Sequence, residues 1–121
     1  MRIRKFYIYY GGYGSHTWEV TWKDNELRYT HYDYFPESYT VIDFESRLPD
    51  FINALTTITA SWLPTYDTDT SDGIQWEINI HADKYRFKYY GSNAWPENFG
   101  EVVEAMREFL GDEGFANGYE E

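Results

Sequence analysis

His16 and Asp33 are the residues of this chain best spaced for acid–base chemistry. Residues 16–23 alternate polar and apolar, and residues 26–34 return across Asp24-Asn25. That register sets His16 opposite Asp33 at the open end of a hairpin. A carboxylate that orients an imidazole supports a general base. No Ser or Thr is placed to be activated there, although Ser15 and Thr17 are neighbours. A surface ion pair explains both residues more simply. A hydrolase built on them ranks behind two binding readings.

Metal chemistry finds little support. The three His residues lack His-x-x-x-His spacing, and there is no Cys. Asp67-Thr68-Asp69-Thr70-Ser71-Asp72-Gly73 imitates a calcium loop. Counted from Asp67, however, the sixth position is Asp72 instead of Gly, and the twelfth is Ile78 instead of a bidentate Glu. A solvated acidic loop is the better reading. Gly11-Gly12-Tyr13-Gly14 joins two strands and no Lys-Ser/Thr follows, so it reads as a turn and not a phosphate cradle. No cofactor and no metal are predicted.

Binding chemistry is better represented. In Tyr89-Tyr90-Gly91-Ser92-Asn93-Ala94-Trp95-Pro96, the residues Tyr90, Asn93 and Trp95 offer stacking and hydrogen bonding beside a helix N-terminus, whose amides favour an anion. A structural reading competes: Gly91 and Asn93 make the turn, Trp95 fills the core and Pro96 fixes the helix start, as Phe35-Pro36 would in the first half. The polar face of the hairpins carries Glu19, Thr21, Arg28, Thr30, Tyr32, Glu77, Asn79, Arg86, Lys88 and Tyr90. The predicted binding residues are Tyr32, Arg28, Arg86, Tyr90, Asn93 and Trp95.

The elements that position these residues come from an internal echo. Trp18-Glu19-Val20 and Leu27-Arg28-Tyr29 recur as Trp76-Glu77-Ile78 and Tyr85-Arg86-Phe87. Phe35-Pro36-Glu37 recurs as Trp95-Pro96-Glu97. Phe44, Leu48, Phe51 and Leu55 recur as Phe99, Val103, Met106 and Leu110. A duplicated ββα unit is the implied architecture. The first hairpin pairs Lys23 with Glu26, Thr21 with Arg28 and Trp18 with His31. The second, turning at Ala82-Asp83, pairs His81 with Lys84, Asn79 with Arg86 and Trp76 with Tyr89. Each then sets a Glu diagonal to an Arg (Glu19 with Arg28, Glu77 with Arg86). Ile74, Trp76, Ile78 and Ile80, with Tyr85, Phe87 and Tyr89, form the second core face. Residues 2–10 form a further strand.

Two helices follow. Asn98-Phe99-Gly100-Glu101 predicts a capping box, and Phe99, Val102, Val103, Met106, Phe109 and Leu110 an apolar stripe that stops at Gly111. Pro49 moves the start of the other helix to about Ser46. Its apolar face is Phe51, Leu55, Ile58 and Trp62. The predicted fold is α+β: about five antiparallel strands with both helices on one face, in the order β-β-β-α-β-β-α. Residues 1–110 form one domain and residues 111–121 a flexible acidic tail.

Bulk properties narrow the partners. Ten Lys+Arg against 21 Asp+Glu give a formal net charge of −11. Such a field repels phosphate backbones and anionic lipids and favours a basic partner. Nucleic acid and membrane surface are therefore not predicted. Aromatic residues make up 21% of the chain, 13 of them Tyr, which suits half-buried sheets and binding surfaces alike. No apolar run approaches the ~20 residues of a membrane span. The short Tyr-rich stretch after Met1-Arg2-Ile3-Arg4-Lys5 does not read as a signal peptide. With no Cys, a cytoplasmic location is the expectation.

Asp72-Gly73-x-x-Trp76 followed by Gly91-Ser92-Asn93-Ala94-Trp95-Pro96-Glu97-Asn98-Phe99 resembles a pattern in small uncharacterised bacterial proteins, many with Tyr in place of Trp95. The resemblance covers residues 72–110. It implies a bacterial or mobile-element origin and no activity. The leading expectation is a non-enzymatic module of immunity, antitoxin or host-takeover type, contacting a basic protein through an acidic, aromatic-bearing sheet face. A small-molecule or carbohydrate-binding domain using residues 90–95 is the alternative.

Overall fold

The computed structural model describes residues 2–12, 16–68 and 73–119. Ser15, the middle of the glycine turn and Asp69–Asp72 of the acidic loop lie outside the described residues. The strands are β1 (Ile3–Gly12), β2 (Thr17–Lys23), β3 (Glu26–Asp33), β4 (Phe35–Tyr39), β5 (Thr65–Asp67), β6 (Ile74–Ala82) and β7 (Arg86–Ser92). The helices are α1 (Phe44–Ile58), extended by a 3-10 turn over Thr59–Ser61, and α2 (Phe99–Leu110). The fold class is α+β, with seven strands where about five were expected. The chain divides into two compact units: Met1–Thr40 with Leu63–Ala94, which holds the sheet, and Val41–Trp62 with Trp95–Glu121, which holds the helices.

In the first unit all seven strands share one sheet, in the order β4-β3-β2-β1-β6-β7-β5. All neighbours are antiparallel except β5 and β7. Strand β1 is central, and the echoed segments flank it. Tyr10 lies opposite both Trp18 and Trp76, and Ile8 opposite both Val20 and Ile78. Both Trp residues are buried, at 5% and 1% exposure. Phe6, Ile8, Tyr10, Val20, Trp22, Tyr29, Ile78 and Ile80 are buried on the same face. That face follows from the period-two alternation.

The echo is not a structural duplication. Strands β2 and β6 run parallel and face the same way, yet β3 lies on one flank of its partner and β7 on the other. Two hairpins so arranged do not superpose. The shared Trp-Glu-Val/Ile pattern reflects a shared demand: both strands must match β1 in one register.

Hairpin one keeps its expected register, from Lys23↔Glu26 to Trp18↔His31. Asp24 and Asn25 both take positive φ (53° and 62°), as a tight two-residue turn requires. Hairpin two differs by two residues. His81 pairs with Arg86, Asn79 with Lys88 and Trp76 with Gly91. The turn falls at Asp83-Lys84, closed by the Ala82 N–H on Tyr85 O at 2.8 Å. Ala82 is drawn into the ladder because it pairs with Ile3 of β1 and is itself buried. Tyr85 is left 63% exposed instead of joining the core face.

Strand β4 stands where the echo of Trp95-Pro96-Glu97 suggested a lead-in to the first helix. Phe35-Pro36-Glu37 pairs with β3, and Phe35 is 79% exposed, so its likeness to Trp95-Pro96-Glu97 stops at the sequence. Pro36 sits on an edge strand, where a missing N–H is tolerated and discourages further pairing. Strand β1 runs on through Gly11 and Gly12, which pair with Gln75 and Ile74, so the turn begins later than expected.

In the second unit α1 starts at Phe44, earlier than Ser46, with Pro49 inside it. Side chains hold this end: Ser46 Oγ donates to Asp43 O (2.9 Å), and Arg47 donates to Ile42 O (2.8 Å) and Asp43 O (3.2 Å). The Thr56 and Thr59 hydroxyls donate back to Ile52 O and Leu55 O, which suits a helix that tightens into a 3-10 turn. Phe51 stacks on Phe109 at 4.3 Å and 9°. The capping box does not form: Asn98 makes no side-chain cap bond. Its Oδ1 accepts from Trp62 Nε1 (2.7 Å), and its Nδ2 donates to Ile58 O (3.1 Å). Gly111 ends α2 in the left-handed region, as expected. The segment beyond it, expected to be a flexible tail, buries Phe115 and Ala116, and Arg107 Nε donates to Phe115 O at 2.9 Å.

Candidate interaction surfaces

The sheet face opposite the buried one is built from four rows across the strands. Glu26, Lys23, Lys5, His81 and Arg86 form the row nearest the turns. Arg28, Thr21, Tyr7, Asn79 and Lys88 form the next. Thr30, Glu19, Tyr9, Glu77 and Tyr90 follow, then Tyr32, Thr17, Gly11, Gln75 and Ser92. Gly11 sits where the Thr17 side chain crosses, so a Cβ there would collide with it.

Charge on this face is segregated. Lys5, Lys23, Arg28, Arg86 and Lys88 are half of the chain's ten Lys and Arg. Four acids share the face: Glu19, Glu77, Asp67, which pairs with Ser92, and Glu26, which is paired with Arg28 at 3.0 Å. Glu19 and Glu77 stand on either side of Tyr9, one row beyond the cations. Two titrations follow this gradient. Burial, then the Glu19 and Glu77 carboxylates, push the Tyr7 phenol well above its usual range. Desolvation, then Lys5 and Arg86, hold the His81 imidazole below 6.5.

The His81 shift has a consequence for stability. The unfolded chain takes up this proton near 6.5 and the folded chain only at lower pH. Stability is therefore lost as pH falls through that window. Between about pH 7 and about pH 5, the urea midpoint of His81→Gln is expected to fall less than that of the parent chain. An equal fall would remove His81 as the cause.

Four of the six predicted binding residues fall into two separate pairs. Arg28 and Tyr32 lie on β3 and Arg86 and Tyr90 on β7, with three strands between them. That separation is about 19 Å at the usual strand spacing. The predicted Glu–Arg diagonals are replaced: Arg28 pairs with Glu26, and Arg86 Nε donates to Asn79 Oδ1 at 3.2 Å. The shifted register removes Glu77 from the diagonal of Arg86. Asn93, at φ 55°, accepts the Ile74 N–H with its Oδ1 (3.0 Å) and gives its own N–H to Ile74 O (2.8 Å), so it closes a turn. Trp95 belongs to the helical unit. Its indole N–H is buried without a hydrogen-bond partner, and its ring meets Tyr119 edge-on at 6.0 Å.

His16 Nε2 lies 3.7 Å from Asp33 Oδ1, with side-chain exposures of 53% and 51%. The closer contact is His16 Nδ1 with His31 Nε2, at 2.8 Å. The His31 ring stacks on Trp18 at 4.8 Å and 7°. The sequence gives His31 to the core face and His16 to the hairpin end, but not this bond between them. Thr17 is on the opposite sheet face. Among the described residues, no group of three or more His, Cys, Asp or Glu side chains could hold a metal ion. Nor is any described helix long and apolar enough to cross a membrane.

The helical unit has the opposite character. Residues 41–62 and 95–121 hold two cations, Arg47 and Arg107, against eleven acids, a net of −9. The sheet unit holds the other eight cations and ten acids, a net of −2. Glu101, Glu104 and Glu108 are all exposed and follow helical spacing on α2, so they form one stripe, and the exposed Glu97 precedes the helix. The sequence reads them as a solvated face, and composition alone does not show that the sheet lacks comparable acidity. No protein-family model matches the chain, and a search of curated proteins finds no relative.

Proposed function

We propose that the protein is a non-enzymatic interaction module that holds a basic protein partner against its helical unit. The charge division supports this reading: −9 of the net −11 belongs to residues 41–62 and 95–121. The sequence alone favours the sheet face for that role, but that face carries five cations against four acids. The acidic stripe of α2 suits a cationic surface better, because complementary charge sets partner choice and encounter rate. An immunity, antitoxin or host-takeover role in a bacterial setting fits such a module. The resemblance of residues 72–110 to small bacterial proteins is compatible with it.

The test is capture from bacterial lysate on the immobilised chain. A partner of high isoelectric point should bind at low salt and detach as salt rises through the screening range. It should be lost from Glu101→Lys/Glu104→Lys/Glu108→Lys. A partner that stays on this variant, or that resists salt, would argue against the reading.

A further inference from the structure

The cation rows of the sheet face are a second surface, of opposite sign to the first. Lys23, Lys5 and Arg86 stand on β2, β1 and β7, and Arg28 and Lys88 fill the next row on β3 and β7. The band crosses five strands, about 19 Å at the usual spacing. Arg28, Lys23, Arg86 and Lys88 are exposed. At the β1–β2 end the band continues into a cleft of about 410 Å³ lined by Arg2, Arg4, Lys5 and Lys23 together with Asp24, and Arg4 is ion-paired with Asp83.

Beside the band lies a different chemistry. Tyr7 is within it, Tyr9 and Tyr90 are one row away, and Tyr32 is one row further. Tyr32 and Tyr90 are each 38% exposed. Glu19 and Glu77 bracket Tyr9 and are hydrogen-bond acceptors only. Cations for a backbone, aromatic rings for stacking and acceptors for exocyclic amines are what an unpaired nucleotide chain needs.

The geometry points to this face as a docking surface for single-stranded nucleic acid, with phosphates along the Arg28–Lys23–Lys5–Arg86–Lys88 band and bases against Tyr9 and Tyr90. An acidic peptide fits less well, because Glu19 and Glu77 would repel it and the tyrosines would gain no stacking partner. A duplex fits less well too, because its bases are not splayed for a flat surface. The net charge of −11 is a sum over the whole chain, and −9 of it belongs to residues 41–62 and 95–121. The low proton affinity of His81, between Lys5 and Arg86, agrees with a locally positive site. This inference is independent of the proposed protein partner, which uses other residues.

The experiment is fluorescence anisotropy of the full chain with labelled oligo-dT and oligo-dC single strands. Binding is expected at low salt, with log affinity falling against log salt at a slope of about −2 to −3, for three or four phosphates neutralised. Arg86→Glu/Lys88→Glu should weaken binding about 10-fold or more, and Tyr90→Ala about 5-fold or more. If the charge reversal misfolds, Lys23→Gln/Lys88→Gln should still lower the salt slope by about 1–2. In the unmodified chain, the strand should raise the pH at which His81 titrates by NMR. Three results would each overturn the inference: no binding at low salt, equal binding to a duplex or to poly-glutamate, or a Tyr90→Ala variant with unchanged affinity. Poly-glutamate binding would reassign the face to an acidic protein.

Discussion

Gly91→Ala is expected to cost more than about 3 kcal/mol, although it adds one methyl group. Gly91 lies opposite Trp76 in the β6–β7 ladder and beside Tyr66 in the β5–β7 ladder. A Cβ at this position would fall within the Trp76 indole, against Nε1, Cε2 and Cζ2. The ring is 1% exposed, and its N–H donates to Ala94 O at 2.9 Å. Tyr66 packs on it at 6.0 Å. The indole cannot yield without losing its bond and its burial together, and loss of a buried Trp side chain costs about 3–5 kcal/mol. Urea denaturation measures the effect. In a Trp76→Leu background the clash partner is gone, and the added cost of Gly91→Ala should fall below about 1 kcal/mol, a strong coupling between contacting residues. Additive costs would show that the glycine serves some other need.

How far the sequence carries this fold is visible at single residues. Hairpin one is legible throughout, because Asp24-Asn25 fixes the turn and alternation fixes the faces. Hairpin two is legible in its faces only. Its register depends on Ala82 pairing with Ile3, a contact across nearly eighty residues that local patterning cannot see. Phe35-Pro36-Glu37 misleads because a Pro start for a helix and a Pro on an edge strand look alike until the neighbour is known. Asn98 misleads for a related reason. Its type and spacing match a cap, while its side chain is spent on Trp62 and Ile58.

Charge shows the same limit. A net of −11 is a property of the chain, whereas a partner meets a surface. The sequence places Arg28, Arg86 and Lys88 on the polar sheet face. The first hairpin places Lys23 there too, one row from Arg28, whereas that Lys5 joins them follows only from the position of β1 between β2 and β6. Most of the acidity belongs to the other unit, a division that the net charge of the chain does not show.

Asn98 offers the sharpest test of a residue with two readings. Asn98→Ala removes the acceptor for the Trp62 indole N–H and the donor to Ile58 O. Trp62 is 9% exposed, so its N–H is left largely without water. A buried N–H so stranded costs about 1–3 kcal/mol, and the variant should lose about that much in urea denaturation. Asn98→Asp separates the readings. If Asn98 acted as a cap, Asp would be neutral or better, since Asp caps as well as Asn and suits the helix dipole. As a tie between Trp62 and Ile58, Asp keeps the acceptor, loses the donor and sets a carboxylate against the Ile58 carbonyl. Asn98→Asp should then lose at least half of what Ala loses. A double-mutant cycle with Trp62→Phe should return a coupling of about 1–3 kcal/mol. A coupling near zero would hand the residue back to the helix terminus.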